Sequence, residues 1–191
     1  MPLNLPNLLT LSRILLIPAV LLLIHQHSFT AGFLLAGWVF LTDFLDGRLA
    51  RKLGVVTPAG MILDPVADKL VVLAMFGYLF MVERVPGWYV SLIFVRDLAQ
   101  LASIPLLLWW KKITFKVAPK RIPKWGTALN FAILGYGFVR LWLEASGYTE
   151  LPYNSVILPV LLVSGAVEIY ILITYLPRFV QIYRGTHDTF E

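Results

Sequence analysis

Six apolar stretches follow one another along this chain, centred on residues 8–26, 30–50, 62–82, 88–110, 125–145 and 153–176. A helix needs about 20 apolar residues to cross the hydrocarbon core of a bilayer, and each stretch meets that length. In 191 residues they leave room for short connections and little else. The breaks hold turn chemistry: His-Gln-His-Ser at 25–28, Arg-Lys-Leu-Gly at 51–54, Glu-Arg-Val-Pro-Gly at 83–87, a basic loop after Trp110, and Gly-Tyr-Thr-Glu-Leu-Pro at 147–152. The expected fold is all-α, an integral membrane bundle of six transmembrane helices forming a single domain over 1–191. Composition agrees. With 59% of residues hydrophobic and 14% charged, there is too little polar side chain to cover a water-soluble surface, so a separate soluble catalytic domain is excluded.

The first apolar run has no basic segment before it and no small-x-small site after it, so it reads as a retained helix. Asn4, Asn7, Thr10 and Arg13 recur every third residue, the pattern of an amphipathic interfacial segment over 1–13 lying on the inner leaflet. Basic residues gather in alternate breaks: Arg48, Arg51 and Lys52, then Lys111, Lys112, Lys116, Lys120, Arg121 and Lys124, and beyond the last span Arg178 and Arg184. The other breaks carry no Lys or Arg at 25–29, Arg84 beside Glu83, and Glu144 and Glu150. The positive-inside rule then puts both termini in the cytoplasm, and a small multi-pass chain of this kind fits a bacterial inner membrane. The net charge of +5 is accounted for by basic loops beside anionic membrane lipids and calls for no nucleic acid. Trp88–Tyr89, Trp109–Trp110, Tyr148 and Tyr153 fall at span ends, where an aromatic belt is expected. With no cysteine, disulfides and thiolate chemistry are excluded.

Six of the eleven acids, Asp43, Asp46, Asp64, Asp68, Asp97 and Glu168, lie in or at the ends of apolar spans. An ionised Asp at the middle of a membrane helix costs roughly 2.5–3.5 kcal/mol. Asp43 and Asp46 are three apart near the end of the second span, and Asp64 and Asp68 are four apart at the start of the third. Each pair shares a helix face, and a short turn at 51–61 can fold the faces together. Four converging carboxylates stay ionised only with cations among them. Oxygen ligation favours two Mg²⁺ or Mn²⁺ ions, an arrangement suited to in-line attack at phosphorus. Gly47, Ala50 and Gly60 either permit close helix packing or let a phosphate approach the backbone. Arg51 either snorkels to the interface or grips a diphosphate through its guanidinium fork.

The pattern D-x2-D-G-x2-A-R-x8-G-x3-D-x3-D, filled at Asp43, Asp46, Gly47, Ala50, Arg51, Gly60, Asp64 and Asp68, resembles the signature of the CDP-alcohol phosphotransferases. At roughly 5–8% average usage per residue type, eight such positions coincide by chance about once in 10⁹ starting sites or fewer. The six-helix layout, the amphipathic N-terminus and Pro-Asn-Leu-Leu-Thr-Leu-Ser-Arg (6–13) are also similar. The resemblance implies a homodimeric membrane enzyme acting on a CDP-linked lipid and an alcohol acceptor. Asp43, Asp46, Asp64 and Asp68 would ligate two metal ions, with Asp68 also the general base on the acceptor hydroxyl. Gly47, Arg51 and Thr57 would hold the CDP diphosphate, with Asn7 near the nucleotide.

Asp-Pro-Val-Ala-Asp-Lys-Leu (64–70) resembles the branch making phosphatidylglycerophosphate or cardiolipin. Arg96-Asp97 leans toward the cardiolipin-synthase type, while Lys124 and Thr127 fit both branches and Gly126 and Asn130 fit neither. Lys120, Arg121 and Lys124 serve equally as a membrane anchor or as an acceptor-phosphate site. Arg96 reads either as a buried ion pair with Asp97 or Glu168 or as an acceptor ligand. The leading expectation is transfer of the phosphatidyl group from CDP-diacylglycerol to glycerol 3-phosphate. The alternatives are cardiolipin synthesis from phosphatidylglycerol and, in a different class, an ion-coupled transporter. Transporters place acids near the midplane in repeat-related broken helices; here the acids gather toward one face.

Overall fold

The computed structural model describes residues 5–39, 41, 58–105, 121–148 and 156–186, with side chains described for 11–39, 41, 66–103, 123–148 and 156–186. Among the described residues there are six helices and no strand: α1 Leu5–His25, α2 Phe29–Val39, α3 Pro58–Met81, α4 Gly87–Pro105, α5 Arg121–Ala145 and α6 Leu158–Tyr183. Proline lies in the first turn of α3, α5 and α6 (Pro58, Pro123 and Pro159), where its missing N–H is not needed. Four helices close alike, through a left-handed residue at His27, Glu83, Gly147 and Gly185. In each case the next residue's N–H reaches back five positions: Ser28 to Leu23 at 2.9 Å, Arg84 to Leu79 at 2.8 Å, Tyr148 to Leu143 at 2.9 Å and Thr186 to Gln181 at 3.0 Å. This is the Schellman closure, and it satisfies carbonyls that the helix end leaves open.

Some helix limits differ from the apolar runs. The helix of the N-terminal stripe continues unbroken through α1, so the polar residues at 7, 10 and 13 belong to the same rod as the apolar run. Helix α3 begins at Pro58, inside the expected turn at 51–61, because proline is preorganised for a first helical turn. Helix α6 extends past 176 to Tyr183 through Pro177. Residues 42–50 of the second span and 106–110 of the fourth lie outside the described residues.

The chain divides into two compact units, Met1–Tyr78 and Leu79–Glu191. In the first, α1 buries Arg13, Ile17, Val20 and Ile24, a stripe at four-three-four spacing along one helix face. Helix α2 approaches this face closely, since a Cβ on Gly32 would lie 2.8 Å from the Ile24 side chain. Helix α1 also meets α3 at two places, Arg13 with Asp68 and, further along both, His25 edge-on to Tyr78. The contacts advance in the same chain direction on both helices, so α1 and α3 run parallel, as they must if α2 returns between them.

In the second unit α6 packs on both α4 and α5. Small residues set the approach. A Cβ on Gly165 would lie 3.1 Å from the Trp88 ring, and one on Gly126 would lie 3.0 Å from Ile171 Cδ1. The opposite side of α6 presents Leu162, Val163, Ile169, Ile173 and Leu176 outward, and α6 is long and apolar enough to cross a membrane. Among the described residues it alone meets that mark; α3, α4 and α5 have comparable length but are interrupted by ionisable side chains.

Candidate active site

Asp68 occupies the third turn of α3, with Asp64 one turn before it on the same face and Gly60 one turn earlier still. Its neighbour Ala67 is fully buried, so Asp68 stands at the edge of the packed stripe, and its side chain is 63% exposed. Arg13 of α1 makes an ion pair and hydrogen bond to Asp68 Oδ1. The partners differ sharply, because the Arg13 side chain is only 6% exposed. Sequence reasoning had placed Arg13 on an interfacial stripe. The signal it missed is that Arg13 is also in register with Ile17, Val20 and Ile24, the packed face of α1.

Among the described residues no three His, Asp or Glu side chains are grouped as a metal site. The side chains of Asp43, Asp46 and Asp64 lie outside those residues, as do Gly47, Ala50, Arg51, Thr57 and Lys120. Asn7 falls on the first turn of α1 and Arg121 opens α5, with the backbone alone described for each, while Lys124 is exposed on the first turn of α5. What is described fits a hard divalent cation. Asp68 is an open oxygen donor one helical turn from a second carboxylate position, and the chain has no competing soft ligand.

A second polar group lies in the Leu79–Glu191 unit, sealed among α4, α5 and α6. The Tyr89 hydroxyl donates to Asn130 Oδ1 at 2.6 Å and lies 2.7 Å from Ser164 Oγ, whose own proton can be donated back. Asn130 Nδ2 donates to Glu168 Oε1 at 2.8 Å. Glu168 Oε2 pairs with Arg96 Nη1 at 3.1 Å, and Arg96 Nε lies 2.9 Å from Asp97 Oδ1. All six side chains are buried, Glu168 and Ser164 completely. Arg96 is thus an ion-pair residue with both carboxylates that the sequence offered it. Tyr89 corrects an expectation: it is not a member of an exposed aromatic belt, because it shares a packed stripe with Ile93 and Arg96, while Trp88 beside it is 47% exposed. Asn130, which matched neither acceptor pattern, links Tyr89 to Glu168, and Gly126 one turn earlier admits Val167 and Ile171.

Comparison with known proteins adds a family and its branches. The family model for CDP-alcohol phosphatidyltransferase matches residues 3–173. The chain is 32% identical over 142 residues to a CDP-diacylglycerol–glycerol-3-phosphate 3-phosphatidyltransferase of Aquifex aeolicus, covering 73% of this chain and 78% of the relative. It is 47% identical over 72 residues to the Rickettsia typhi protein of the same name, covering 36% of this chain and 40% of that protein. It is 35% identical over 149 residues to a cardiolipin synthase (CMP-forming) / mitochondrial hydrolase fusion protein of Schizosaccharomyces pombe, covering 69% of this chain and 24% of the relative. The match thus spans under half the length of the last two proteins and most of the Aquifex one.

Proposed function

The chain belongs to the CDP-alcohol phosphatidyltransferase family, and we propose that it transfers the phosphatidyl group of CDP-diacylglycerol to glycerol 3-phosphate, giving phosphatidylglycerophosphate and CMP. The observation that carries this reading is the place of Asp68. It is the last carboxylate of the signature, one turn past Asp64 on an unbroken helix, and it remains open rather than buried. The acceptor is taken from the Aquifex and Rickettsia relatives, whose names specify glycerol 3-phosphate.

In this reading Asp68 takes the proton of the acceptor hydroxyl on a carboxylate oxygen. The acceptor oxygen bonds to the lipid-side phosphorus as the bond from that phosphorus to the bridging oxygen breaks, and the electron pair leaves with CMP. Arg51 and the Thr57 hydroxyl hold the diphosphate oxygens, and Gly47, Ala50 and Gly60 keep side-chain bulk out of its path. Asn7 lies toward the nucleotide. Lys120, Arg121 and Lys124 receive the acceptor phosphate; Arg96, engaged by Asp97 and Glu168, takes a structural part. The family is in general divalent-metal dependent, and Asp43, Asp46, Asp64 and Asp68 are the residues that would hold two Mg²⁺ or Mn²⁺ ions. Such cations offset the charge of the diphosphate and of the departing CMP.

Family members are membrane-bound enzymes. Six spans, both termini and the site on the cytoplasmic side of a bacterial inner membrane, and a homodimer complete the proposal. The parallel run of α1 and α3 and the outward apolar face of α6 support the spanning arrangement.

The test is CMP release by protein purified in detergent, with CDP-diacylglycerol, Mg²⁺ and one acceptor at a time, repeated with EDTA. The expected result is EDTA-sensitive release with glycerol 3-phosphate. Release with phosphatidylglycerol alone would assign cardiolipin synthesis instead, in line with the Schizosaccharomyces relative. No metal-dependent release with any acceptor would overturn the reading.

A further inference from the structure

We propose that Arg13 is the positioning residue of the proposed base, holding the Asp68 carboxylate in one orientation from the far side of α1; this rests on the phosphatidyl-transfer reading above. The argument begins with the unequal burial of the pair. A guanidinium in the packed stripe of an apolar helix is expensive unless it meets a carboxylate. Asp68, mostly exposed, has water for its own solvation and does not depend on Arg13 to stay charged. The pair therefore does little for the solvation of Asp68 and much for its direction, since a lone Asp on a helix surface turns freely about χ1.

The anchor is rigid for reasons visible in the same unit. Arg13 opens the buried row continued by Ile17, Val20 and Ile24, and Gly32 brings α2 against the last of these. Helix α1 is held to α3 a second time by His25 and Tyr78, so loss of the Arg13 contact leaves the two helices docked at their other ends. Arg13 reaches Asp68 across a sequence separation of 55 residues. The direction of the proposed base is thus tied to α1 as well as to its own helix. A base displaced by about 1 Å loses on the order of 100-fold in rate, without changing how the donor lipid binds.

Arg13→Met and Arg13→Lys, assayed for CMP release with saturating acceptor, test this. For Arg13→Met the expected result is a fall in kcat of about 100-fold, with the KM for CDP-diacylglycerol within about twofold of wild type. Arg13→Lys keeps a cation without the planar fork and should recover part of that loss. A second readout needs no turnover. In EDTA, the melting midpoints of Arg13→Met, Asp68→Asn and the double variant should be non-additive, because each single change removes the same pair. An unchanged kcat, a loss expressed in KM, or additive midpoints would each overturn the inference. If Arg13→Met does not fold, Arg13→Lys carries the same kcat-against-KM test. A silent wild-type protein overturns the transfer reading and this role with it, whereas an active wild type with an equally active Arg13→Met overturns this role alone.

Discussion

Glu168→Leu removes the centre of the sealed polar group while keeping side-chain volume nearly constant, so its effect isolates the loss of polar partners from the opening of a cavity. Two contacts vanish, the 2.8 Å hydrogen bond from Asn130 and the 3.1 Å ion pair with Arg96. Stranding the Asn130 donor costs about 1–3 kcal/mol. Breaking a buried ion pair costs about 3–5 kcal/mol when the remaining charge is left alone, but Arg96 keeps Asp97 at 2.9 Å. The low end applies, and about 3 kcal/mol is expected for the substitution as a whole. For a chain of this size 1 kcal/mol moves the melting midpoint by about 2–4 °C, so Glu168→Leu should fall by roughly 6–12 °C. Glu168→Gln keeps an acceptor for Asn130 and the same shape, and places one N–H against the guanidinium. It should lose about 1–2 kcal/mol, and hence roughly 2–8 °C. Thermal unfolding in one fixed detergent, followed by the monodisperse fraction after heating, reads both. A Glu168→Leu midpoint within about 2 °C of wild type would refute the reasoning. So would a lowered acceptor KM in Glu168→Gln, because loosening Arg96 would then have supplied the acceptor with a phosphate ligand.

Two shorter predictions bear on the proposed site and on the helix packing beneath it. Asp68→Asn should abolish CMP release while CDP-diacylglycerol still binds, measured with radiolabelled donor; wild-type turnover would remove Asp68 from the role of base. Gly126→Val should destabilise by about 1–3 kcal/mol, since its Cβ would already stand 3.0 Å from Ile171 Cδ1 and 3.3 Å from Val167 Cγ1. Gly126→Ala should lose less, and the ordering is read from melting midpoints in the same detergent.

Helix content was legible because apolar runs of about 20 residues have few other uses, and the chain ends several of them with residues that permit a left-handed closure. The pairing of Arg96 with Asp97 and Glu168 was legible too, because a charge in an apolar helix must find its opposite. Two residues were harder to read. Arg13 lies on two periodicities at once, every third residue with Asn4, Asn7 and Thr10, and alternately four and three with Ile17, Val20 and Ile24. The first is a surface pattern and the second a core pattern, and only packing decides between them. Tyr89 is next to Trp88, so a window average treats them as one aromatic pair, yet neighbours on a helix point about 100° apart. One is buried in hydrogen bonds and the other stands 47% exposed.

A charge count along the spans cannot by itself separate catalysis from architecture, because Asp68, Asp97 and Glu168 raise the same alarm in the sequence. The structure separates them by how each carboxylate is surrounded. Glu168 and Asp97 are enclosed among three helices, where an amide and a guanidinium meet them and no path to water remains. A site of that kind fixes helix positions and has no room for a phosphate. Asp68 has one strong partner, and that partner is the buried member of the pair. An exposed carboxylate steered by a buried cation is costly for stability alone, since water would solvate it as well. Its arrangement makes physical sense when the carboxylate must point somewhere in particular, and the direction it shares with Asp64 is the face on which the signature residues converge.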